Sequence, residues 1–379
     1  MKNSRFFQAI YRSVKPTIAL GAFYATFFSY KSIYKRNNYA MTKNAGLTKA
    51  TKLFFSKLEA QSTPRWDASE IEFIKSRKAM IAGFQNMAIL ELEKGVTMDC
   101  FTSKINNKNL KIQALTPNGY SESSPTIIYF AGGGFVLDLD VQWAACSKIA
   151  GFSGCKILIV KCSLAPEHKY PEGANDAYQA IQHFHDNPDK YGINPKKIAV
   201  AGDSSGGNFA ALTANKLRNS RPDIKLLFQL LISPNVDLSL SVHRKTKYKD
   251  FQDQDIMIKE AGITFCRNMY IDKQTDLTSP RISPLFDNLD NLPPTLITCG
   301  EFDGVRGDTE AYFEKLKSSG NQVNKLLWAG QVHNSMICRA VFNDEDDPAI
   351  LIGQAVRQLF LSQQKTNTEQ TNNRPHGAR

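Results

Sequence analysis

Acidic residues are nearly missing from the first sixty positions of this chain, where Glu59 stands alone against eleven lysines and arginines. The rest of the sequence carries thirty-six basic and thirty-five acidic residues, so the net charge of +11 belongs almost wholly to the N-terminal segment. Cysteine is sparse: Cys100, Cys146, Cys155, Cys162, Cys266, Cys299 and Cys338 are scattered without C-x-x-C spacing. An odd, dispersed set, partly inside apolar runs, points to buried free thiols and a reducing compartment rather than a disulfide framework. Paired histidines are lacking too. His183 and His185 lie two apart on an expected helix and share no face, while His243 and His376 have no neighbouring ligands, so no metal site is expected. No internal repeat is visible.

What the chain does have is alternation. Strand-like and helix-like runs succeed one another from about residue 105 to 363, which predicts one mostly parallel sheet with helices on both faces. The apolar run Lys197–Ala201 leads into Gly202-Asp203-Ser204-Ser205-Gly206-Gly207, and a helix-compatible stretch follows. This is a G-x-S-x-G elbow in strand-turn-helix context, where flanking glycines permit a sharp turn that exposes the Ser204 hydroxyl at a strand end. Two later strands end at loops carrying Asp303 and His333. The order Ser, Asp, His is the one a nucleophile elbow needs, and ligand sites in open α/β sheets gather at strand C-termini. Ser204 is therefore the candidate nucleophile, His333 its base and Asp303 the group that orients the imidazole.

Upstream, the strand Pro125–Phe130 runs into Ala131-Gly132-Gly133-Gly134-Phe135. Consecutive glycines forgo side-chain packing and allow close backbone approach, so the N–H groups of Gly132 and Gly133, with that of Ser205, are the expected oxyanion donors. The chain resembles the hormone-sensitive-lipase family of α/β-hydrolases from roughly Val96 to Phe360. The resemblance rests on the glycine loop, Ser163-Leu164-Ala165-Pro166-Glu167-His168-Lys169-Tyr170-Pro171, the elbow, Pro280-Arg281-Ile282-Ser283-Pro284-Leu285, Leu292-Pro293-Pro294, and the Asp303 and His333 loops. His168, between two prolines, reads as part of a rigid turn. The resemblance implies hydrolysis of carboxylic esters through an acyl-enzyme, without cofactor or metal, on a small-molecule ester or lipid substrate. It also implies a helical cap, from about 61–95 and 237–275, over a hydrolase domain spanning 61–365. In one place the chain departs from the family pattern: Ala131 occupies the position of the histidine in H-G-G-G. Loss of that side chain predicts a looser glycine loop and lower or narrower activity, which Ala131→His should raise.

The N-terminal 1–60 holds an uncharged, aromatic-rich run, Pro16–Tyr30, bracketed by Arg12, Lys15, Lys31, Lys35 and Arg36. Such flanks suit a membrane interface, and fifteen residues fall short of a spanning helix. Residues 1–40 are thus expected to contact a membrane, as a tilted anchor, interfacial helix or uncleaved signal; a helix packed on a cytoplasmic enzyme is the alternative. A nucleic-acid arm is not expected, because the basic residues surround an apolar run instead of forming a continuous patch. The polar segment 366–379 is expected to be disordered. Two other functions remain open at this level: a deacetylase of small acetyl esters or arylacetamides, and a non-catalytic ligand receptor on the same fold.

Overall fold

The computed structural model describes residues 68–121, 123–245, 258–339 and 347–372. Eight strands form one sheet in the order β1-β2-β4-β3-β5-β6-β7-β8. β1 (Val96–Ile105) and β2 (Lys108–Pro117) make an antiparallel hairpin. β2 runs antiparallel to β4 (Lys156–Val160), and from there β3 (Thr126–Phe130), β5 (Ile198–Asp203), β6 (Gln229–Ile232), β7 (Thr295–Gly300) and β8 (Val323–Trp328) are parallel.

The hairpin is the part the alternation did not single out. Its signal is Asn106-Asn107, both at positive φ (45° and 65°), a pair suited to the two-residue turn whose twist matches the flanking strands. Every residue of β3, β5, β6 and β7 is buried. Successive strand residues point to opposite faces, so both faces of the central sheet are covered. Two helix pairs supply that cover: α2 (Gln142–Ser153) packs with α7 (Pro348–Asn372), and α3 (Glu172–Asp186) with α4 (Ser205–Ser220). α6 (Arg306–Ser318) packs on β7 and β8.

The segments expected to form a cap contain α1 (Glu70–Gln85), a short helix at Ser241–Lys245, and α5 (Glu260–Tyr270). α1 and α5 meet through Phe73 and Phe265, whose rings are edge-on with centroids 5.4 Å apart. Phe73 is the one buried residue of α1. The helix starts at a reciprocal capping box, Ser69 with Glu72, and is tied at its surface by Arg77 to Glu167 (2.8 Å) and Lys169 to Glu70 (2.7 Å).

α7 continues to Asn372, so the expected disordered tail begins inside a helix. The chain from Lys365 to Asn372 contains no glycine or proline to stop it. The remainder of that tail, the basic segment 1–60, the membrane-contact segment 1–40, and residues 61–67 and 246–257 of the expected cap lie outside the described residues. Among the described residues no helix is long and apolar enough to cross a membrane.

Candidate active site

β5 ends at Asp203 and α4 begins at Ser205, leaving Ser204 as the corner, with φ 52° and ψ −119°. A non-glycine residue held there stores about 1–3 kcal/mol of strain. The corner is fixed by the Ser204 N–H to the Ile232 carbonyl (2.9 Å) and by the Asn208 and Asn235 N–H groups to the Ser204 carbonyl (3.1 and 3.2 Å). The elbow glycines are required by close approach. A Cβ on Gly202 would stand 2.2 Å from the Gly206 oxygen, and one on Gly206 2.0 Å from the Phe130 oxygen.

The loops beyond β7 and β8 bring Asp303 and His333 to this corner. His333 Nε2 lies 2.9 Å from Ser204 Oγ, and His333 Nδ1 lies 2.8 Å from Asp303 Oδ1. All three side chains are buried. Burial alone would raise the Asp303 pKa, but the His333 charge and hydrogen bond, the Ser233 hydroxyl and the Val305 N–H more than offset it, and its carboxyl stays below the usual range. A carboxylate held ionised there fixes Nδ1–H as the donor. Nε2 is then the acceptor for the serine proton.

Of the three expected oxyanion donors, Gly132 is otherwise engaged. Its N–H donates to Asp203 Oδ1 at 2.8 Å, and its carbonyl accepts from Gln142 Nε2 at 3.1 Å. Gly132 is buried, whereas Gly133 and Gly134 are partly open. The N–H groups of Gly133, Gly134 and Ser205 carry no hydrogen bond among the described residues. Ser205, as the first residue of α4, has no intrahelical acceptor for its N–H. Asp203 thus takes the first of the three expected amides, and among the described residues the amides left without a partner are one glycine further along.

The glycine loop is also not loose in the way the missing histidine at Ala131 suggested. Gly132 is clamped on both sides, and the Val136 and Leu137 N–H groups fold back onto the Gly133 carbonyl (3.1 and 2.9 Å). Phe135 stacks on Tyr270 of α5 with centroids 4.2 Å apart and meets Phe209 of α4 edge-on. The turn containing His168 joins these pieces: the Ala165 N–H donates to the Phe135 carbonyl (2.9 Å) and the Tyr170 N–H to the Tyr270 carbonyl (2.8 Å). Cys266, also on α5, overhangs the loop, since a Cβ on Gly134 would lie 2.8 Å from its Sγ.

Reading residues by motif missed Asp203, Gln142 and Asn334. Asn334 follows His333 at φ 47° and donates to Asp203 Oδ2 at 2.9 Å. Only Asp203 had a signal, its place inside the elbow; the other two gain meaning from contacts across the fold. Among the described residues no group of three or more His, Cys, Asp or Glu side chains could hold a metal ion.

Comparison with known proteins supports the fold. A family described as having the α/β hydrolase fold matches residues 127–337, more than half of the chain. An arylesterase of Saccharolobus solfataricus is 30% identical over 232 residues, covering 61% of this chain and 74% of its own. Carboxylesterase NlhH of Mycobacterium tuberculosis is 31% identical over 227 residues, covering 59% and 70%. The solved structure of a hyperthermophilic esterase from Pyrobaculum calidifontis superposes with a TM-score of 0.74 at 28% identity, covering 83% of this chain and 99% of that one. The chain therefore belongs to the α/β hydrolases of the hormone-sensitive-lipase and carboxylesterase type.

Proposed function

We propose that this protein is a serine hydrolase that cleaves carboxylic esters through an acyl-enzyme. The observation that carries the reading is the unbroken hydrogen-bond chain Asp303–His333–Ser204, with the Gly133, Gly134 and Ser205 N–H groups left without a partner among the described residues. Ser204 Oγ attacks the ester carbonyl carbon as its proton passes to His333 Nε2, and the carbonyl π electrons move onto oxygen. Gly133, Gly134 and Ser205 N–H groups receive that oxyanion. When the carbonyl re-forms, the C–O bond to the alcohol breaks and the imidazolium gives its proton to the departing oxygen. Water then attacks the acyl-serine by the same sequence, releasing the acid and restoring Ser204. Asp303 remains ionised throughout and stabilises the imidazolium.

The names of the relatives, arylesterase and carboxylesterase, support an ester substrate. The basic N-terminal segment with its uncharged run supports recruitment to an anionic membrane, and hence hydrophobic esters. Hydrolysis of a p-nitrophenyl ester series from acetyl to palmitoyl, by the full chain and by Ser204→Ala, tests the reading. Serine-dependent turnover is expected, and a preference for acetyl alone would favour a deacetylase. Folded protein inactive across the whole series would sink the hydrolase reading.

A further inference from the structure

Asp203 is fully buried and adjoins the nucleophile, yet the ester-cleaving steps give it no task. Its Oδ1 accepts from the Tyr129 hydroxyl of β3 (2.8 Å) and from the Gly132 N–H of the glycine loop (2.8 Å), and its Oδ2 accepts from Asn334 Nδ2 (2.9 Å). One carboxylate thus bonds the strand, the oxyanion loop and the residue after His333, while its own backbone carries Ser204. Gln142 adds a second tether, from α2 to the Gly132 carbonyl.

We infer that Asp203 is a positioning residue: it sets the oxyanion loop and the His333 loop in register with Ser204, and supports the imidazolium with a second negative charge. The inference rests on the serine-hydrolase reading. The same contact explains two features at once. Gly132 has no room for a side chain, since its Cβ would lie 2.5 Å from Asp203 Oδ2, and Ala131 has no anchoring left to do because Gly132 is already held. Asn334 accepts a left-handed backbone because its amide has a partner there.

The charged and titratable neighbours define what the site should feel. Asp203 faces Tyr129 from β3, Cys146 from α2 and His333 from its loop; His333 in turn faces Asp303. Burial holds the Asp203 carboxyl above the usual carboxylate range, and the Gly132 N–H, the Tyr129 hydroxyl and the His333 charge offset part of that rise. Tyr129, Gly132 and Asn334 all donate to the Asp203 carboxyl, as an ionised carboxylate requires.

The test is steady-state kinetics on a turned-over p-nitrophenyl ester across pH, comparing the full-length wild type, Ser204→Ala, Asp203→Asn and Tyr129→Phe. Asp203→Asn keeps shape but puts an amide N–H among donors. Its kcat is expected to fall by about 10²–10³, the scale of a lost oxyanion donor, with KM changed far less. The acidic limb of kcat/KM should also move to lower pH, because an imidazolium with one fewer carboxylate nearby holds its proton less tightly. Tyr129→Phe, which removes one donor without changing volume, should give a smaller loss in the same direction and serves if Asp203→Asn does not fold. Wild-type turnover with unchanged kcat and unchanged acidic limb in whichever variant folds would overturn the positioning role alone. Absence of serine-dependent turnover in the wild type would overturn the hydrolase reading, and this inference with it.

Discussion

At the residue scale the site depends on a few atoms with no slack. A methyl group at Gly206 would collide with the Phe130 carbonyl at 2.0 Å, and that oxygen belongs to backbone that cannot rotate away. Gly206→Ala is therefore expected to abolish soluble, active protein, whereas Gly320→Ala, where nothing lies within 4 Å but φ is +77°, should cost only modest stability; thermal melts of both variants decide this. Asp303→Asn should lower kcat by about 10⁴ by leaving the imidazole in the wrong tautomer, measured on the same ester series. Ala131→His, by contrast, should change kcat by far less than the roughly 10² that one lost donor costs, since Gly132 is already held by Asp203 and Gln142. A large rise would restore the view that the missing histidine leaves the loop loose.

At the scale of elements, α1 fully buries one side chain, Phe73, and packs Met80, Ile81 and Phe84 partly against the core. Phe73 packs on Phe265, with the Arg77 guanidinium 5.1 Å from the Phe73 ring, while the surface ion pairs to Glu167 and Lys169 are worth little each. Phe73→Ala should release α1 locally, seen as faster amide exchange over residues 70–85, with little change at β3 and β5. Unchanged protection would mean that other contacts hold the helix. α6 is tied differently. Its Asp308 accepts the Val236 and Asp237 N–H groups at 3.0 Å each, joining the helix to the chain beyond β6. Burial, then the Asp237 charge, holds the Asp308 carboxyl well above the usual carboxylate range. A folded pKa raised above the unfolded one adds stability below the unfolded value and loses it as pH climbs through the folded value. Asp308→Asn should therefore melt higher than wild type near pH 8 and lose that advantage near pH 3; an equal gap at both values would discount the carboxyl's titration.

Across the whole molecule, charge and catalysis occupy different stretches of sequence. The first sixty residues carry nearly all of the net charge of +11, and the Asp303–His333–Ser204 chain lies far along the sequence from them. Sedimentation of the full chain with anionic vesicles is expected at low salt and should weaken as the salt is raised, because charge attraction is screened within about 8–10 Å near physiological ionic strength. A chain lacking residues 1–60 should lose vesicle binding while retaining ester turnover. Retained binding would move the lipid contact onto the catalytic body.

The chain's own order determined the parts that are local. The elbow needs glycines at fixed offsets from Ser204, and a buried parallel strand announces itself by an apolar run, so the central strands, Ser204, Asp303 and His333 were all legible from spacing. The first hairpin was less so, because its alternation is interrupted by charged, solvent-facing positions and only Asn106-Asn107 marks the turn. What spacing could not reach was any choice made by a distant partner. Whether Gly132 or Gly134 has a free amide depends on where the Asp203 carboxylate points, and whether Ala131 leaves a slack loop depends on Gln142 arriving from α2 and Tyr270 from α5. Covalent neighbours fix which backbone turns are possible; hydrogen bonds between residues far apart in sequence decide which donors remain for the substrate, and those exist only once the sheet and its helices have closed.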